Sequence, residues 1–258
     1  MLRLRNRRRR VSFGSFKEKE SHMLVIRDLS KRYGSGPLAV DGLNLTVEAG
    51  DIYGFIGHNG AGKTTTLKCV SGILPFEQGE ITIDGISIRT NPLEAKRIMR
   101  YIPDNPDLYG FLTGAGYLNF LCDIYGIDTQ TRSERIAKYA AMFEIESKLG
   151  DLVSSYSHGM CQKLALIGAL VQQPKLLMLD EPFVGLDPKA SHTLKGVMHE
   201  LVDNGSAIFF STHVLEVAEK LCNKIAIIKQ GKLIASGSME EVRGNQSLED
   251  LFLELTDA

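Results

Sequence analysis

The sequence predicts an α/β fold, and three observations carry that prediction. Segments with a strand period of two alternate along the chain with segments of helical period. One mostly apolar segment, residues 51–57, runs directly into a glycine-rich loop and then a helix-period stretch. A second, residues 176–180, is apolar until it ends in adjacent carboxylates. With 258 residues and 43% apolar side chains, the chain has material for a substantial core in one or two domains.

Taken in order, residues 23–29 and 43–47 read as strands, the second by its alternation of Leu43, Leu45 and Val47. Residues 51–57 form a buried strand ending in glycine, and residues 62–72 a helix. A further strand spans residues 80–84, bounded by Gly79 and Gly85. Pro103, Pro106 and Gly110 then break the pattern, and residues 104–156 read as a helical insertion. Within it Tyr117, Leu118, Leu121, Ile124 and Tyr125 share one helical face, and Ile136, Tyr139, Ala140 and Phe143 another. A helix over residues 159–171, a strand at 176–180 and a helix at 188–202 follow. Strands at 207–211, 224–228 and 232–235 and a short helix at 248–255 complete the chain.

The net charge of −1 hides an asymmetry, because residues 1–22 hold eight basic and two acidic residues and the rest is correspondingly acidic. Lys17-Glu18-Lys19-Glu20 implies a purine-rich message a short distance ahead of the Met23 codon, the layout of a bacterial ribosome-binding site. The natural protein is therefore expected to begin at Met23, with residues 1–22 a basic extension that is either disordered or not translated; the alternative is an arginine arm for anionic lipid. Cys69, Cys122, Cys161 and Cys222 are scattered, which argues against a zinc site or disulfide framework. No apolar run approaches the ~18 residues a membrane span needs, so any service to a membrane goes through a partner.

The strongest chemical signal is Gly57-His58-Asn59-Gly60-Ala61-Gly62-Lys63-Thr64. It has the spacing of a P-loop and the strand–loop–helix setting that motif needs. Glycines let backbone N–H groups converge on phosphate oxygens, and the helix N-terminus adds its positive end. Lys63 is placed to reach the β- and γ-phosphates of a nucleotide, Thr64 to ligate Mg²⁺ and Thr65 to support the α-phosphate. The second signal is the strand ending Asp180-Glu181-Pro182. It delivers carboxylates where open α/β sheets bind ligands, with Asp180 suited to Mg²⁺ and Glu181 to general-base work.

Other P-loop classes fit less well. A GTPase needs Asn-Lys-x-Asp, and Asn223-Lys224 is followed by Ile225-Ala226. Ser154 to Lys163, which contains Tyr156-Ser157-His158-Gly159-Met160, stands just before a helix and ahead of the carboxylate strand. That segment resembles the signature of ABC ATPases. Gly185-Leu186-Asp187-Pro188 resembles their D-loop, Ser211-Thr212-His213 their switch histidine, and Tyr33 the aromatic that stacks on adenine. The resemblance covers residues 23–236. It implies a P-loop NTPase (RecA-like) core with an antiparallel β subdomain and an inserted helical subdomain.

It also implies an ATPase that works as a head-to-tail dimer, with a second copy of itself or a homologous ATPase. Ser157 and Gly159 of one chain would face the nucleotide held by the other. Asp104 stands where the family carries a glutamine near Mg²⁺, and is expected to act through a metal-bound water or by sensing the partner. The Asp104 and signature variants are similar to those of bacterial exporter ATPases, and residues 180–188 with the tail 248–255 resemble Ecs-type members. The expected organisation is residues 1–22 as the extension, 23–103 as β subdomain and first part of the core, 104–156 as helical subdomain, 157–236 as signature helix and second part of the core, and 237–258 as tail.

The resemblance further implies a polytopic membrane permease as partner, no nucleic acid, and a place on the cytoplasmic face of the cell membrane. Tyr101, Tyr109, Phe111, Tyr117, Phe120 and Tyr125 put six of the nineteen aromatics into twenty-five residues near the insertion. Most are expected to fill its core, with Tyr109 and Phe111 left as surface contacts for the permease. The alternative reading is a soluble ABC ATPase of an iron–sulfur scaffold complex. Chromosome and DNA-repair ABC ATPases fit less well, since only about ninety residues separate the P-loop from the signature.

Overall fold

The computed structural model describes residues 22–257. Two long strands open the chain, β1 (His22–Arg32) and β2 (Leu38–Glu48), followed by the short buried β3 (Ile52–Ile56) and the helix α1 (Lys63–Val70). Next come β4 (Gln78–Ile83), β5 (Ile86–Ser87), α2 (Pro92–Ile98), β6 (Met99–Ile102), α3 (Gly114–Ile124) and α4 (Thr129–Met142). The second half holds α5 (His158–Leu170), β7 (Leu176–Asp180), α6 (Pro188–Asp203), β8 (Ala207–Thr212), α7 (Leu215–Leu221), β9 (Lys224–Lys229), β10 (Lys232–Ser238), α8 (Met239–Arg243) and α9 (Leu248–Asp257).

Two sheets result. A six-stranded sheet has the order β10-β9-β3-β8-β7-β6, parallel throughout except for the β10 edge. Its central strands β3, β7 and β8 are buried along their whole length, as unbroken apolar runs in a parallel sheet should be. A four-stranded antiparallel sheet, β2-β1-β4-β5, packs beside it. The pleat divides the core in two. Ile52, Ile56, Leu177, Leu179, Ile208 and Phe210 face the helices α3 to α7. Tyr53, Phe55, Leu176, Met178 and Phe209 face α1 and the antiparallel sheet. Phe209 sits against Phe55 at 5.4 Å and Tyr53 at 6.0 Å between ring centroids. Truncating a ring so enclosed costs about 3–5 kcal/mol.

Local signals explain the helices. The Asp187 carboxylate accepts from the Ala190 N–H at 2.8 Å, Pro188 fixes the first turn, and Ala190, Leu194, Val197, Met198 and Leu201 bury one stripe of α6. The Ser157 hydroxyl caps α5 from Met160 N–H at 3.3 Å, and every residue from Leu164 to Leu170 is buried.

Several elements depart from the expected string. β5, α2, α7 and α8 are each seven residues or fewer and bury little, so they carry no readable period. β1 includes His22, the last residue of the expected extension, whose Nδ1 lies 2.8 Å from Glu48 Oε1. The remainder of that segment, residues 1–21, lies outside the described residues. The expected face on α3 holds at Leu118 but not at Ile124 or Tyr125, which are exposed. The helix stops at Ile124, Tyr125 caps it, and Gly126 turns the chain at φ 68°, so the face runs past its own helix.

Candidate active site

The C-terminal ends of β3 and β7 place the two predicted motifs side by side. The loop after β3 is shaped by two glycines that admit no side chain. Gly57 directly follows β3, and an added Cβ there would meet the Ile228 carbonyl oxygen at 2.6 Å. Gly62 has φ 111°, and its Cβ would meet the Ala39 carbonyl oxygen at 2.4 Å. The loop thus curls against β2 and β9 and turns its backbone toward the start of α1, where Lys63 is the first helical residue.

Lys63 is 6% exposed and its ammonium donates to the carbonyls of Gly57 at 2.6 Å and His58 at 3.3 Å. Burial pulls this ammonium below the ordinary lysine range, while Glu181 and Asp180 oppose that pull. Glu181 Oε1 stands 3.6 Å from Lys63 Nζ. On its other side His213 Nδ1 approaches the same oxygen to 2.9 Å without the alignment of a hydrogen bond. That carboxylate oxygen is buried and accepts no hydrogen bond among the described residues. Glu181 also has φ 47°, which an L-residue with a side chain adopts at a cost. Its backbone is held there by Ser211, whose hydroxyl and carbonyl accept from the Glu181 N–H at 3.1 and 3.2 Å. Behind it, Asp180 is 1% exposed and accepts from the Ser211 hydroxyl at 2.5 Å and the Tyr101 hydroxyl at 3.4 Å.

Lys63 and Glu181 line one cavity of about 340 Å³ together with Tyr33, Ala39, His58, Asn59, Gly60, Gly62, Thr64, Thr65 and Asp104, while Asp180 and His213 stand behind and beside Glu181 without lining it. Tyr33 is half exposed, with its hydroxyl 3.3 Å from Thr65 Oγ1. Asp104 is exposed, and its Oδ1 accepts from the Asn105 N–H at 2.9 Å. Ser157 and Gly159 do not line the cavity; they lie at the head of α5 against the turn at Gly185, where a Cβ on Gly159 would meet the Gly185 carbonyl at 2.9 Å. The donor set is that of a polyphosphate site: bare backbone amides, one ammonium, two adjacent hydroxyls, and carboxylates fit for a hard divalent cation. The buried Glu181 oxygen, between Lys63 and His213 and without a hydrogen bond among the described residues, is an acceptor left unsatisfied beside the cavity that Glu181 lines.

Three contributors escaped the sequence reading. Tyr101, counted there only among the clustered aromatics, packs toward Asp180, and burial together with that carboxylate pushes its phenol well up. Ser211 was seen only as part of the Ser-Thr-His run, yet it ties both carboxylates to β8. Phe252 of α9 meets the ring of His58 edge-on at 4.9 Å, so the tail touches the phosphate loop. No sequence period reports a contact between positions so far apart.

The sequence matches the ABC transporter family over residues 40–184. It is similar to the ABC-type transporter ATP-binding protein EcsA of Bacillus subtilis, with 34% identity over 91% of this chain and 96% of that protein. It is 35% identical to the Nod factor export ATP-binding protein I of Burkholderia orbicola, over 82% of this chain and 69% of that one. A solved structure of an ATP-binding subunit of an ABC transporter superposes with a TM-score of 0.87 at 33% identity, covering 90% of this chain and 99% of that one.

Proposed function

This chain belongs to the ABC transporter family as an ATP-binding and ATP-hydrolysing subunit, and we propose that it powers a membrane exporter by closing on ATP as a head-to-tail dimer. In this reading Lys63 and the Gly57–Gly62 backbone hold the β- and γ-phosphates, and Thr64 and Asp180 hold Mg²⁺, with Asp104 acting on it through water. The cation supplies charge neutralisation of the triphosphate when bound. Glu181 accepts the proton of the attacking water and His213 orients it, a role supported by the 2.9 Å approach. Ser157 and Gly159, at the dipole-positive head of α5, face the nucleotide of the opposing chain. Neither residue lines its own chain's cavity, which supports a site completed across a dimer.

Tyr33 stacks on adenine through its ring face, and a stacked base contributes about 1–3 kcal/mol without regard to its edges. Tyr33→Ala is therefore expected to weaken ATP and GTP alike by roughly tenfold or more, while Tyr33→Phe loses only the weak contact to Thr65. Equilibrium binding of a fluorescent ATP analogue checks this; equal affinities for all three proteins would take Tyr33 out of the site.

The observation that carries the membrane reading is the surface of the helical insertion. Tyr109, Phe111 and Phe120 are exposed by 49%, 77% and 40%, and the ring of Tyr109 lies within 6 Å of the other two. With the exposed Tyr125, four of the six clustered aromatics reach the surface rather than the two expected. A contiguous apolar patch of this kind marks a binding face, and aromatic side chains anchor such faces. Among the described residues no helix is long and apolar enough to cross a membrane, so the partner supplies the membrane part. The exporter assignment draws on the Nod factor export relative and on the Asp104 and signature variants. Co-expression with the polytopic protein of an adjoining reading frame should give a complex whose ATP hydrolysis exceeds that of the free chain. Tyr109→Ser with Phe111→Ser should abolish the complex and leave ATP binding intact. Recovery with a soluble scaffold protein instead would favour the iron–sulfur alternative.

A further inference from the structure

One restraint on the phosphate loop arrives from the far end of the chain. Helix α9 starts from Ser247, whose hydroxyl accepts from the Asp250 N–H at 3.1 Å. It buries Leu248 completely and leaves Phe252 only 6% exposed. Both belong to the buried cluster that holds Ala218 and Leu221 of α7, and Arg243 of α8 adds an ion pair to Glu219 of α7 at 2.6 Å. The near end of the tail is therefore anchored on α7. One turn further along α9, Phe252 carries its ring to His58, edge-on at 60° with 4.9 Å between centroids, a favourable geometry for an aromatic pair.

His58 is exposed, and among the described residues its ring forms no hydrogen bond or ion pair, so the Phe252 contact is the directional restraint on it. What the ring restrains is the backbone behind it. The His58 carbonyl accepts from the Ala61 N–H at 3.1 Å, which closes the turn of the phosphate loop, and from the Lys63 ammonium at 3.3 Å. Gly57 and Gly62 clamp the two ends of that loop against backbone carbonyls, whereas at Gly60 an added Cβ would meet nothing. On the open stretch between the clamps, His58 is the side chain that the tail holds.

We propose that Phe252 is a positioning residue for ATP binding: its ring holds His58, and through the His58 carbonyl it fixes the turn at Ala61 and the aim of Lys63, so that the docked tail sets the affinity of the phosphate loop. The chemical step lies outside its reach. Glu181 is held through Ser211 of β8, and His213 directly follows that strand. Losing the Phe252 ring therefore weakens the grip on the nucleotide and spares the rate at which a bound nucleotide is hydrolysed. The proposal rests on the nucleotide site described above and is independent of the exporter assignment.

The test measures ATP affinity of the full chain by isothermal titration, its melting temperature, and single-turnover hydrolysis at saturating ATP. Phe252→Ala should weaken ATP binding about three- to tenfold, the range an aromatic pair contributes, while the saturated rate stays within about twofold. Phe252→Leu keeps most of the buried volume without a ring. It should restore the melting temperature lost in Phe252→Ala and leave the affinity low, a separation that a purely structural role does not give. His58→Ala, a change at an exposed position, should weaken ATP to the same degree. The double variant should be no weaker than either single one, because all of them lose the same contact. Full affinity in Phe252→Ala, affinity that recovers together with the melting temperature in Phe252→Leu, additive losses in the double variant, or a saturated rate that falls with the affinity each overturn the proposal. Lys63→Ala tells this failure from failure of the site. It should lose ATP binding, and undiminished binding there overturns the nucleotide site and the proposal together.

Discussion

Glu181→Gln is expected to keep ATP binding and lower hydrolysis by roughly 10²–10⁴-fold, the usual consequence of losing a general base. The substitution changes almost nothing but charge and basicity. The backbone at position 181 is fixed by Ser211 rather than by its own side chain, so the amide should occupy the place of the carboxylate. Lys63 loses its neighbour at 3.6 Å, but it retains the Gly57 and His58 carbonyls that aim it at the phosphates. Removing a negative charge from a cavity that must admit a triphosphate should, if anything, tighten binding. A bound nucleotide that is not consumed should then accumulate as a closed dimer, visible by size-exclusion chromatography in ATP. Single-turnover hydrolysis, measured on the complex with its membrane partner, reads the rate. Turnover near that of the unsubstituted protein would remove Glu181 from the chemistry and shift attention to His213.

How much of this was legible in the letters follows from the range over which each signal acts. The phosphate loop and the carboxylate strand are local patterns, since seven or eight consecutive residues carry both the backbone shape and the functional groups. Helices α5 and α6 were legible as segments of more than two turns, and the structure adds their caps, Ser157 and Asp187. The short elements were not, because α2 buries only Ala95 and α7 only Ala218 and Leu221. The support around the site was hidden for a different reason. Tyr101 reaches Asp180 across two parallel strands, and Phe252 reaches His58 across most of the chain. Such contacts are set by sheet order, and sheet order is not a local property of the sequence. The aromatic cluster shows the opposite failure. Its composition was visible, but composition alone cannot say which rings point outward, and more of them do than were expected.

Gly62→Ala should cost ATP affinity roughly ten- to hundredfold, and the contrast with Gly60→Ala makes the reason visible. Both glycines have positive φ, 111° and 81°, so alanine at either position carries a backbone penalty. Positions forced into such regions cost about 1–3 kcal/mol, where 1.4 kcal/mol is a factor of ten. They differ in what a methyl group would meet. At Gly60 it would enter open space, whereas at Gly62 it would collide with the Ala39 carbonyl at 2.4 Å. That carbonyl sits in a strand start held by its neighbours. Gly231 presses on it from another side, where its own Cβ would meet it at 2.9 Å, and the Asp41 N–H is pinned to the Gly231 carbonyl at 2.9 Å. Gly231 is tied in turn to the Ala61 carbonyl at 2.8 Å, so the phosphate loop, the start of β2 and the turn before β10 form one clamp. The added methyl must therefore displace the loop, and with it the amides and Lys63, which is the next residue. Isothermal titration with ATP, paired with thermal melting of the same proteins, separates lost binding from lost folding. Affinities for the two alanine variants that match one another would show that the clamp gives way and that positive φ alone sets the cost.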